Sequence, residues 1–180
     1  MKRRAVLRGA AATASMASLM SSGVASSGAQ TGSGETPRNR RDISLPKPNL
    51  RGEMSLEEAI ARRRSVRDFA SSTLSMGQIG QLLWAAEGIT GRASYFRAHP
   101  SAGALHPLEV YVVTSEGIFH YLTQGHRLNL VRQGDHRVAL ARAAYEQMFV
   151  SDAGCVIAIA AVYGRTTGKY GERGRMRYVH

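Results

Sequence analysis

Residues 153–163 (AGCVIAIAAVY) form an unbroken apolar run that is rich in β-branched side chains. A strand with one solvent-facing side alternates apolar and polar residues, whereas a strand covered on both faces is apolar throughout. The run therefore predicts a central strand, paired along both edges and covered on both faces. The sequence contains no stretch of about 18 apolar residues, so we expect no stable membrane span.

Two capping boxes mark helix starts before this run. Ser55 with Glu58 and Ser75 with Gln78 have the spacing in which side chain and backbone satisfy each other's hydrogen bonds. A segment rich in Val and Tyr, a short Ser-Glu-Gly turn and a second apolar segment predict a hairpin. The order of elements indicates an α+β domain with a covered sheet. The predicted helices are 55–64, 76–87 and 135–148, and the predicted hairpin strands are 108–114 and 118–122.

The net charge of +11 arises from 24 basic and 13 acidic residues, and its distribution argues against nucleic-acid binding. Residues 1–30 contribute +4, residues 31–55 contribute +2, residues 56–163 contribute +1 and residues 164–180 contribute +4. A nearly neutral centre does not supply the basic face that a phosphate backbone requires. We therefore expect no nucleic-acid partner.

The sequence also lacks the pattern of a disulfide framework or a metal site. Cys155 is the single cysteine, which excludes an intrachain disulfide. The six histidines include no helical i, i+4 pair beside a carboxylate, the arrangement that is typical of a zinc site. We therefore predict no metal site.

Residues 1–29 have the layout of an export signal. A basic start with Arg3 and Arg4 precedes a weakly hydrophobic stretch without acidic residues, and residues 27–29 are small enough for a signal peptidase. The paired arginines resemble the twin-arginine motif, which predicts recognition by the twin-arginine export machinery and a periplasmic or secreted location. A disordered basic tail is the alternative. Residues 30–50, rich in Gly, Ser, Thr and Pro, are predicted to be a flexible linker.

Four further segments carry side chains suited to binding or chemistry. At 62–67 (RRRSVR), guanidinium groups and a hydroxyl can bind a phosphate, and a solvated helix end is the alternative. At 100–107 (PSAGALHP), small residues allow close approach to a flat ligand, or form an ordinary tight connection. At 163–171 (YGRTTGKYG), lysine and tyrosine are proton-transfer candidates, and a mobile basic loop is the alternative. The segment 173–180 (RGRMRYVH) is typical of a loop that leads towards a helix.

Taken in order, the segments RRRSVRDF, QLLWAAEGITG, HPSAGALHPLEVYVV and KYGERGRMRYV resemble the flavin-dependent nitroreductase family. They are most similar to its SagB-type branch, the azoline-oxidising dehydrogenases. The resemblance covers residues 55–180, and we place the domain boundaries at 51–180. It implies a nitroreductase-like fold, in which helices cover a central, mostly antiparallel sheet. It also implies an oxidoreductase that depends on FMN.

The resemblance implies which residues hold the flavin and where they come from. Members of the family bind FMN at the interface of a homodimer or of paired domains. The family's Arg-Arg-Ser-x-Arg motif falls on Arg63, Arg64, Ser65 and Arg67, which implies contacts with the phosphate and ribityl groups of FMN.

A second motif and a catalytic pair follow from the same resemblance. Lys169 and Tyr170 match a pair that is implicated in catalysis on a small-molecule substrate in the azoline-oxidising branch. The family's Pro-Ser-x-Gly motif implies flavin contacts from the partner subunit. It falls on Pro100, Ser101, Ala102, Gly103 and Ala104.

Two departures from the family pattern bear on this interpretation. His106 stands where many such relatives have Tyr, which implies different ring contacts. Relatives also continue past the position of His180 with a helix that carries a Glu-x-Gly-His and Asn-containing segment. This difference implies that about the last third of the domain is absent and that the fold is incomplete at the C-terminus.

The signal and the resemblance fit together. The twin-arginine route exports proteins already folded around a cofactor, and FMN is made in the cytoplasm. We therefore expect an exported FMN oxidoreductase. The alternatives are an NAD(P)H-dependent nitro- or quinone-reductase and a non-catalytic secreted fragment.

Overall fold

A computed structural model describes residues 42–70, 72–91 and 96–179, and the predicted signal at 1–29 lies outside them. Five strands form one sheet in the order β1-β4-β3-β2-β5, and every neighbouring pair is antiparallel. The strands are β1 (Asp42–Ser44), β2 (Leu108–Val113), β3 (Gly117–Leu122), β4 (Arg127–Gln133) and β5 (Val156–Ala161).

Six helices accompany the sheet in the described residues, and two of them begin at the predicted capping residues. The Ser75 side chain accepts a hydrogen bond from the Gln78 amide, and the Gln78 side-chain oxygen accepts one from the Ser75 amide. Ser55 accepts from the Glu58 amide in the same way. The helices are α1 (Leu56–Arg62), α2 (Met76–Glu87), α3 (Arg137–Ala143), α4 (Phe149–Asp152), α5 (Tyr163–Tyr170) and α6 (Glu172–Arg177).

The hydrophobic core lies between α2 and one face of the sheet. Ile79 and Leu83 of α2 are buried one helical turn apart, which is the spacing of an inward helix face. In β3, alternate side chains are buried, as the period of a half-covered strand requires. The buried cluster consists of Leu45, Ile79, Leu83, Val110, Val112, Phe119, Tyr121 and Leu128.

The α+β fold class is confirmed, together with α2 and the β2–β3 hairpin. Two strands were not predicted. Asp42–Ser44, inside the segment 30–50 that was predicted to be a flexible linker, pairs with β4 along the edge of the sheet. The β4 segment itself was missed because its Arg, Asn and Gln residues give a weak apolar signal, although Leu128 is buried in the core.

The prediction of a central strand at 153–163 was wrong. In the described residues β5 pairs with β2 alone and lies at the edge of the sheet. Ile159 in the middle of the strand is 62% exposed. An apolar run indicates that a strand is hydrophobic. It does not indicate whether one or two strands pair with it, because that depends on residues far away in the sequence.

The single helix predicted at 135–148 is two helices, α3 and α4. The chain leaves the helix at Tyr145 and Glu146, whose φ angles are 60° and 58°. A left-handed backbone conformation ends a right-handed helix. The apolar spacing across residues 135–148 therefore spans two helices and the break between them. No helix in the described ranges is long and apolar enough to cross a bilayer.

Candidate functional site

The segment that leads into β2 has an unusual backbone. Ser101 precedes a single 3-10 turn at Ala102–Ala104, and its hydroxyl accepts a hydrogen bond of 2.8 Å from the His106 amide. Gly103, Ala104 and His106 all have left-handed φ angles, of 62°, 55° and 42°. Such conformations are costly for residues other than glycine and are concentrated at ligand-binding sites.

An open cavity of about 510 Å³ lies against this segment. Its walls include Pro100, Ser101 and Ala102, apolar side chains of β2 and β5, and Arg177 and Tyr178 beyond the sheet. A volume of this order is typical of small-molecule sites, as is an apolar wall with a few polar groups. The cavity is therefore suited to a flat, largely apolar ligand.

Helix α5 brings the predicted catalytic pair to the same segment. The Arg165 guanidinium donates to the His106 carbonyl oxygen over 2.6 Å, which fixes the start of α5 beside residues 100–107. One turn later, Lys169 and Tyr170 reach Gly103. A methyl group added to Gly103 would lie 2.7 Å from Lys169 Nζ and 2.7 Å from the Tyr170 hydroxyl oxygen.

Residues 163–170 are thus helix α5, where a mobile loop was the alternative. Helix α6 occupies the first part of the segment 173–180, where the sequence predicted a loop that leads towards a helix. The two helices lie in close contact. A Cβ on Gly174 would stand 2.5 Å from the Thr166 carbonyl group. This contact directs the chain back, so that the Tyr178 ring lies 4.4 Å from the Tyr170 ring. Tyr178 thereby connects the predicted pair to the cavity wall.

The predicted phosphate motif lies apart from these residues in the single chain. Arg63, Arg64, Ser65 and Arg67 are exposed. Arg64 donates to the carbonyl oxygens of Ala61 and Arg63, and the Arg67 guanidinium lies 5.6 Å from the centre of the Phe149 ring. Among the contacts of the described residues, none joins this motif to residues 100–104.

Sequence reasoning missed a second, polar cavity of about 310 Å³, which is lined by Leu105 and His106 of the 100–107 segment. At its wall, both carboxylate oxygens of Glu109 are engaged. His120 Nε2 lies 2.5 Å from Oε2, and Arg165 donates to Oε1. Burial pushes the pKa of Glu109 upwards, but the hydrogen bonds from His120 and Arg165 outweigh it and hold this pKa below its ordinary value.

Glu87, at the end of α2, also faces the polar cavity and is only 5% exposed. Burial raises the pKa of Glu87 above its ordinary value, although His99 and Arg97 oppose part of this effect. The His99 ring approaches Glu87 at 3.9 Å and also lines the apolar cavity. The sequence signal for this cluster was the presence of charged residues within apolar segments, such as Glu109 within LEVYVV.

Within the described ranges, no group of three or more His, Cys, Asp or Glu side chains is arranged to hold a metal ion.

Known proteins resemble this chain in both sequence and structure. Residues 60–178 match the nitroreductase family. A Methanocaldococcus jannaschii protein that is named as a nitroreductase is 43% identical over 136 residues, which cover 71% of this chain and 67% of that protein.

Solved structures give the same result. A protein from Ralstonia eutropha, described as a nitroreductase, superposes with a TM-score of 0.66 and 29% identity, covering 76% of this chain and 63% of its own. A protein from Anabaena variabilis with the same description has a TM-score of 0.50 and 27% identity, covering 57% of this chain and 24% of its own. The chain thus spans about two thirds or less of these relatives. Within that span, its sequence and its fold show that it belongs to the nitroreductase family.

Proposed function

We propose that this nitroreductase-family chain is an FMN-dependent oxidoreductase of the SagB-type, azoline-oxidising branch. The observation that carries the proposal is the contact of two distant segments at Gly103. The predicted flavin segment, residues 100–104, and the predicted catalytic pair, Lys169 and Tyr170, meet beside an apolar cavity. Two of the three family motifs therefore correspond to neighbours in space, and the arginine motif at 63–67 is the exception.

The residues around the cavity fit a flavin. The apolar wall suits a flat ring, the Ser101 segment offers close backbone approach because Gly103 has no side chain, and Arg177 supplies a positive charge. Bound FMN would supply the hydride acceptor. The exposed arginines at 63–67 are free of contact with this segment in one chain, which supports a site that is completed by a second copy. We therefore propose a homodimer in which each copy offers residues 63–67 to its partner's cavity.

Oxidation of an azoline ring to an azole removes one hydride equivalent and one proton. The Lys169 amine stands over Gly103, which directly follows the lining residues Pro100, Ser101 and Ala102, and is the proposed acceptor of that proton. The Tyr170 hydroxyl lies beside it and is proposed to orient the substrate. Its ring packs on the Tyr178 ring, which limits the positions that the hydroxyl can take.

The test is single-turnover oxidation of an azoline substrate by the flavin-loaded, full-length protein. Lys169→Ala should retain flavin while the rate falls by about 10²–10⁴-fold, the usual scale for a general base. Tyr170→Phe should lose less activity. Lys47→Ala is the matched control because Lys47 is exposed and remote from the cavity walls. An unchanged rate in Lys169→Ala at equal flavin content would contradict the proposed mechanism.

A second candidate function is reduction of nitro compounds or quinones by NAD(P)H. The names of the relatives favour it, since the Methanocaldococcus jannaschii protein and both solved structures are described as nitroreductases. The same protein samples distinguish the two functions. Rapid flavin reduction by NAD(P)H, with slow reduction by an azoline substrate, would favour the reductase.

We also propose that the protein is exported in its folded state by the twin-arginine route, on the basis of residues 1–29. Replacing Arg3 and Arg4 by lysine keeps the charge but removes the paired guanidinium groups that the receptor reads. The double variant should accumulate inside the cell, whereas wild type should be processed and exported. Equal export of both proteins would contradict this route.

A further inference from the structure

The polar cavity of about 310 Å³ is separate in chemistry from the apolar cavity. It lies among the end of α2, the start of β2 and the end of β3, and the first helical turn of α5 closes one side. The charged and titratable side chains that line it are Glu87, Arg97, His106, Glu109, His120, Tyr121 and Arg165.

Arg97 is held at this cavity by its backbone. The Ala98 amide donates to the Gly88 carbonyl oxygen over 2.9 Å, and the Thr90 amide donates to the Phe96 carbonyl oxygen over 3.1 Å. These bonds form a short bridge between Ile89 and Arg97 directly after α2. The backbone of Arg97 is therefore held next to the end of α2.

The Arg97 guanidinium has donors without acceptors. Its Nε and Nη1 atoms are buried, and neither has a hydrogen-bond partner in the described residues. Buried donors are nearly always paired, because an unpaired one loses its bonds to water without compensation. A charged donor at the wall of a cavity therefore indicates an acceptor that occupies the cavity.

The two carboxylates at the cavity, those of Glu87 and Glu109, do not act as the missing acceptor for Arg97. Both oxygens of Glu109 are engaged by His120 and Arg165. Glu87 makes no hydrogen bond to Arg97 in the described residues, and its burial favours the neutral acid. One positive charge, that of Arg97, is thus left over when Glu87 is protonated.

We propose that this cavity binds a small oxyanion, a carboxylate or a phosphate, with the Arg97 guanidinium as its anchor. Oxyanions present several acceptor oxygens to a guanidinium, and the resulting bonds are charge-assisted. The volume exceeds that of several water molecules, each of which takes about 30 Å³. The ligand therefore has room for a short organic body besides its anionic group. This site is independent of the proposed flavin site.

The proposal predicts how anion binding depends on pH. Arg97, His99, Glu109 and Arg165 are the charged or titratable groups that act on Glu87. An ionised Glu87 repels a bound anion, whereas the neutral acid does not. His106 and His120 also line this cavity. Binding should therefore strengthen as the pH falls and weaken as it rises through the pKa of Glu87.

The test measures binding of acetate and of inorganic phosphate to the full chain by calorimetry and by the thermal midpoint, at constant ionic strength with chloride as the reference ion. We expect saturable binding of at least one of the two anions, and their relative affinity identifies the class. Arg97→Gln should weaken binding by about ten- to a hundredfold, the effect of losing charge-assisted hydrogen bonds. Arg132→Gln, which removes the same charge from an exposed site on β4, should leave the affinity unchanged.

Two further variants keep the proposal falsifiable if Arg97→Gln does not fold. Arg97→Lys retains the charge and should bind with intermediate affinity, and Glu87→Gln should tighten binding at neutral pH and reduce its pH dependence. Equal affinity in wild type, Arg97→Lys and Glu87→Gln would overturn the proposal. Stabilisation by chloride as strong as that by phosphate or acetate would show an adventitious ion effect only, and would overturn it as well.

Discussion

The absence of a side chain at Gly103 leaves the space that the candidate catalytic pair uses. Its φ angle of 62° lies in the left-handed region, and Lys169 and Tyr170 stand over its Cα. Ala104 and His106 adopt similar angles although they carry side chains. The segment is therefore strained where the ligand is expected, and the hydrogen bond between Ser101 and the His106 amide helps to maintain that conformation.

Gly103→Ala should therefore disturb the site more than the fold. The added methyl group would meet Lys169 Nζ and the Tyr170 hydroxyl at 2.7 Å, and would occupy a left-handed conformation that costs about 1–2 kcal/mol. Turnover should fall at least as far as in Lys169→Ala, with a modest loss in urea stability. Gly168→Ala is the control, because no described atom lies within 4 Å of its added methyl, and it should stabilise α5 by about 0.5–1 kcal/mol. Equal turnover in both variants would show that the Gly103 contact is not needed.

Tyr121 gives the protein a sensitivity to alkaline pH. Burial raises the pKa of its hydroxyl to about 12, whereas the unfolded chain ionises near the ordinary value of 10.0. Between these values the unfolded state loses a proton that the native state keeps, so the free energy of unfolding should fall by up to about 2–3 kcal/mol. Tyr121→Phe should remove this decline in urea titrations, and should also lose about 1 kcal/mol at neutral pH with the hydrogen bond to His126. Tyr111→Phe is the control, and with Tyr121 intact it should retain the decline of unfolding free energy at alkaline pH. The same decline in Tyr121→Phe would contradict the assignment of this decline to Tyr121.

At the scale of elements, capping and burial separate α2 from α1. Both helices begin with a serine cap, but α2 inserts Ile79 and Leu83 into the core, whereas none of the seven described residues of α1 is buried. A cap stabilises its own helix, and it raises the free energy of unfolding of the whole protein only when that helix is packed on the core. The two serines therefore form a matched pair for experiment.

Ser75→Ala should lower the free energy of unfolding by about 1 kcal/mol, the usual value of an N-cap. The change removes the acceptor for the Gln78 amide at the start of the packed helix. Ser55→Ala removes the equivalent bond from the Glu58 amide, but should only fray α1 and change global stability by less than about 0.5 kcal/mol. Chemical denaturation measures both values. Equal losses would show that α1 is also part of the cooperative core.

Patterns between residues close in the sequence predicted the helices and turns that they form. The pairing of distant strands could not be predicted from such patterns. The capping boxes and the alternation of β3 depend on residues a few positions apart, so α2 and the β2–β3 hairpin were predictable. The position of β5 at the sheet edge depends on its partner β2, more than forty residues earlier in the chain. Helix α5 was missed because three glycines lie in YGRTTGKYG. Contacts from outside the helix stabilise it, namely the bond from Arg165 to the His106 carbonyl oxygen and the packing of Gly174 on Thr166.

For the molecule as a whole, the candidate site was predicted as a set of motifs but not as an arrangement. The order of the motifs in the sequence did not indicate that residues 100–104 and Lys169 lie close together. In the structure, the bond from Arg165 to the His106 carbonyl oxygen brings α5, and with it Lys169, next to Gly103. The arginine motif at 63–67 stays exposed and apart. The polar cavity was not predicted, because Glu87, Arg97 and Glu109 come from three elements and share no sequence pattern.

The exposed face of α1 gives the proposed homodimer its most direct test. Leu56 and Ile60, one turn apart, are 71% and 66% exposed. Their helix leads directly into residues 63–67, which the proposal places at the partner's cavity, so α1 should lie in the interface. An interface that buries both side chains would gain about 1.5–3 kcal/mol from each.

Sedimentation of the full-length protein should therefore show reversible dimers, and the double variant Leu56→Lys/Ile60→Lys should weaken dimerisation by at least about a hundredfold, since two buried apolar contacts become charges. The variant should keep the wild-type melting midpoint at concentrations where both proteins are monomers, because α1 makes no core contact. Leu50→Lys is the control, since Leu50 is 76% exposed and lies in a loop outside α1. If the double variant dimerises as strongly as wild type, the interface lies elsewhere and residues 63–67 do not reach a partner's cavity by way of α1. If flavin binding falls together with dimerisation, that result supports a site shared between two copies.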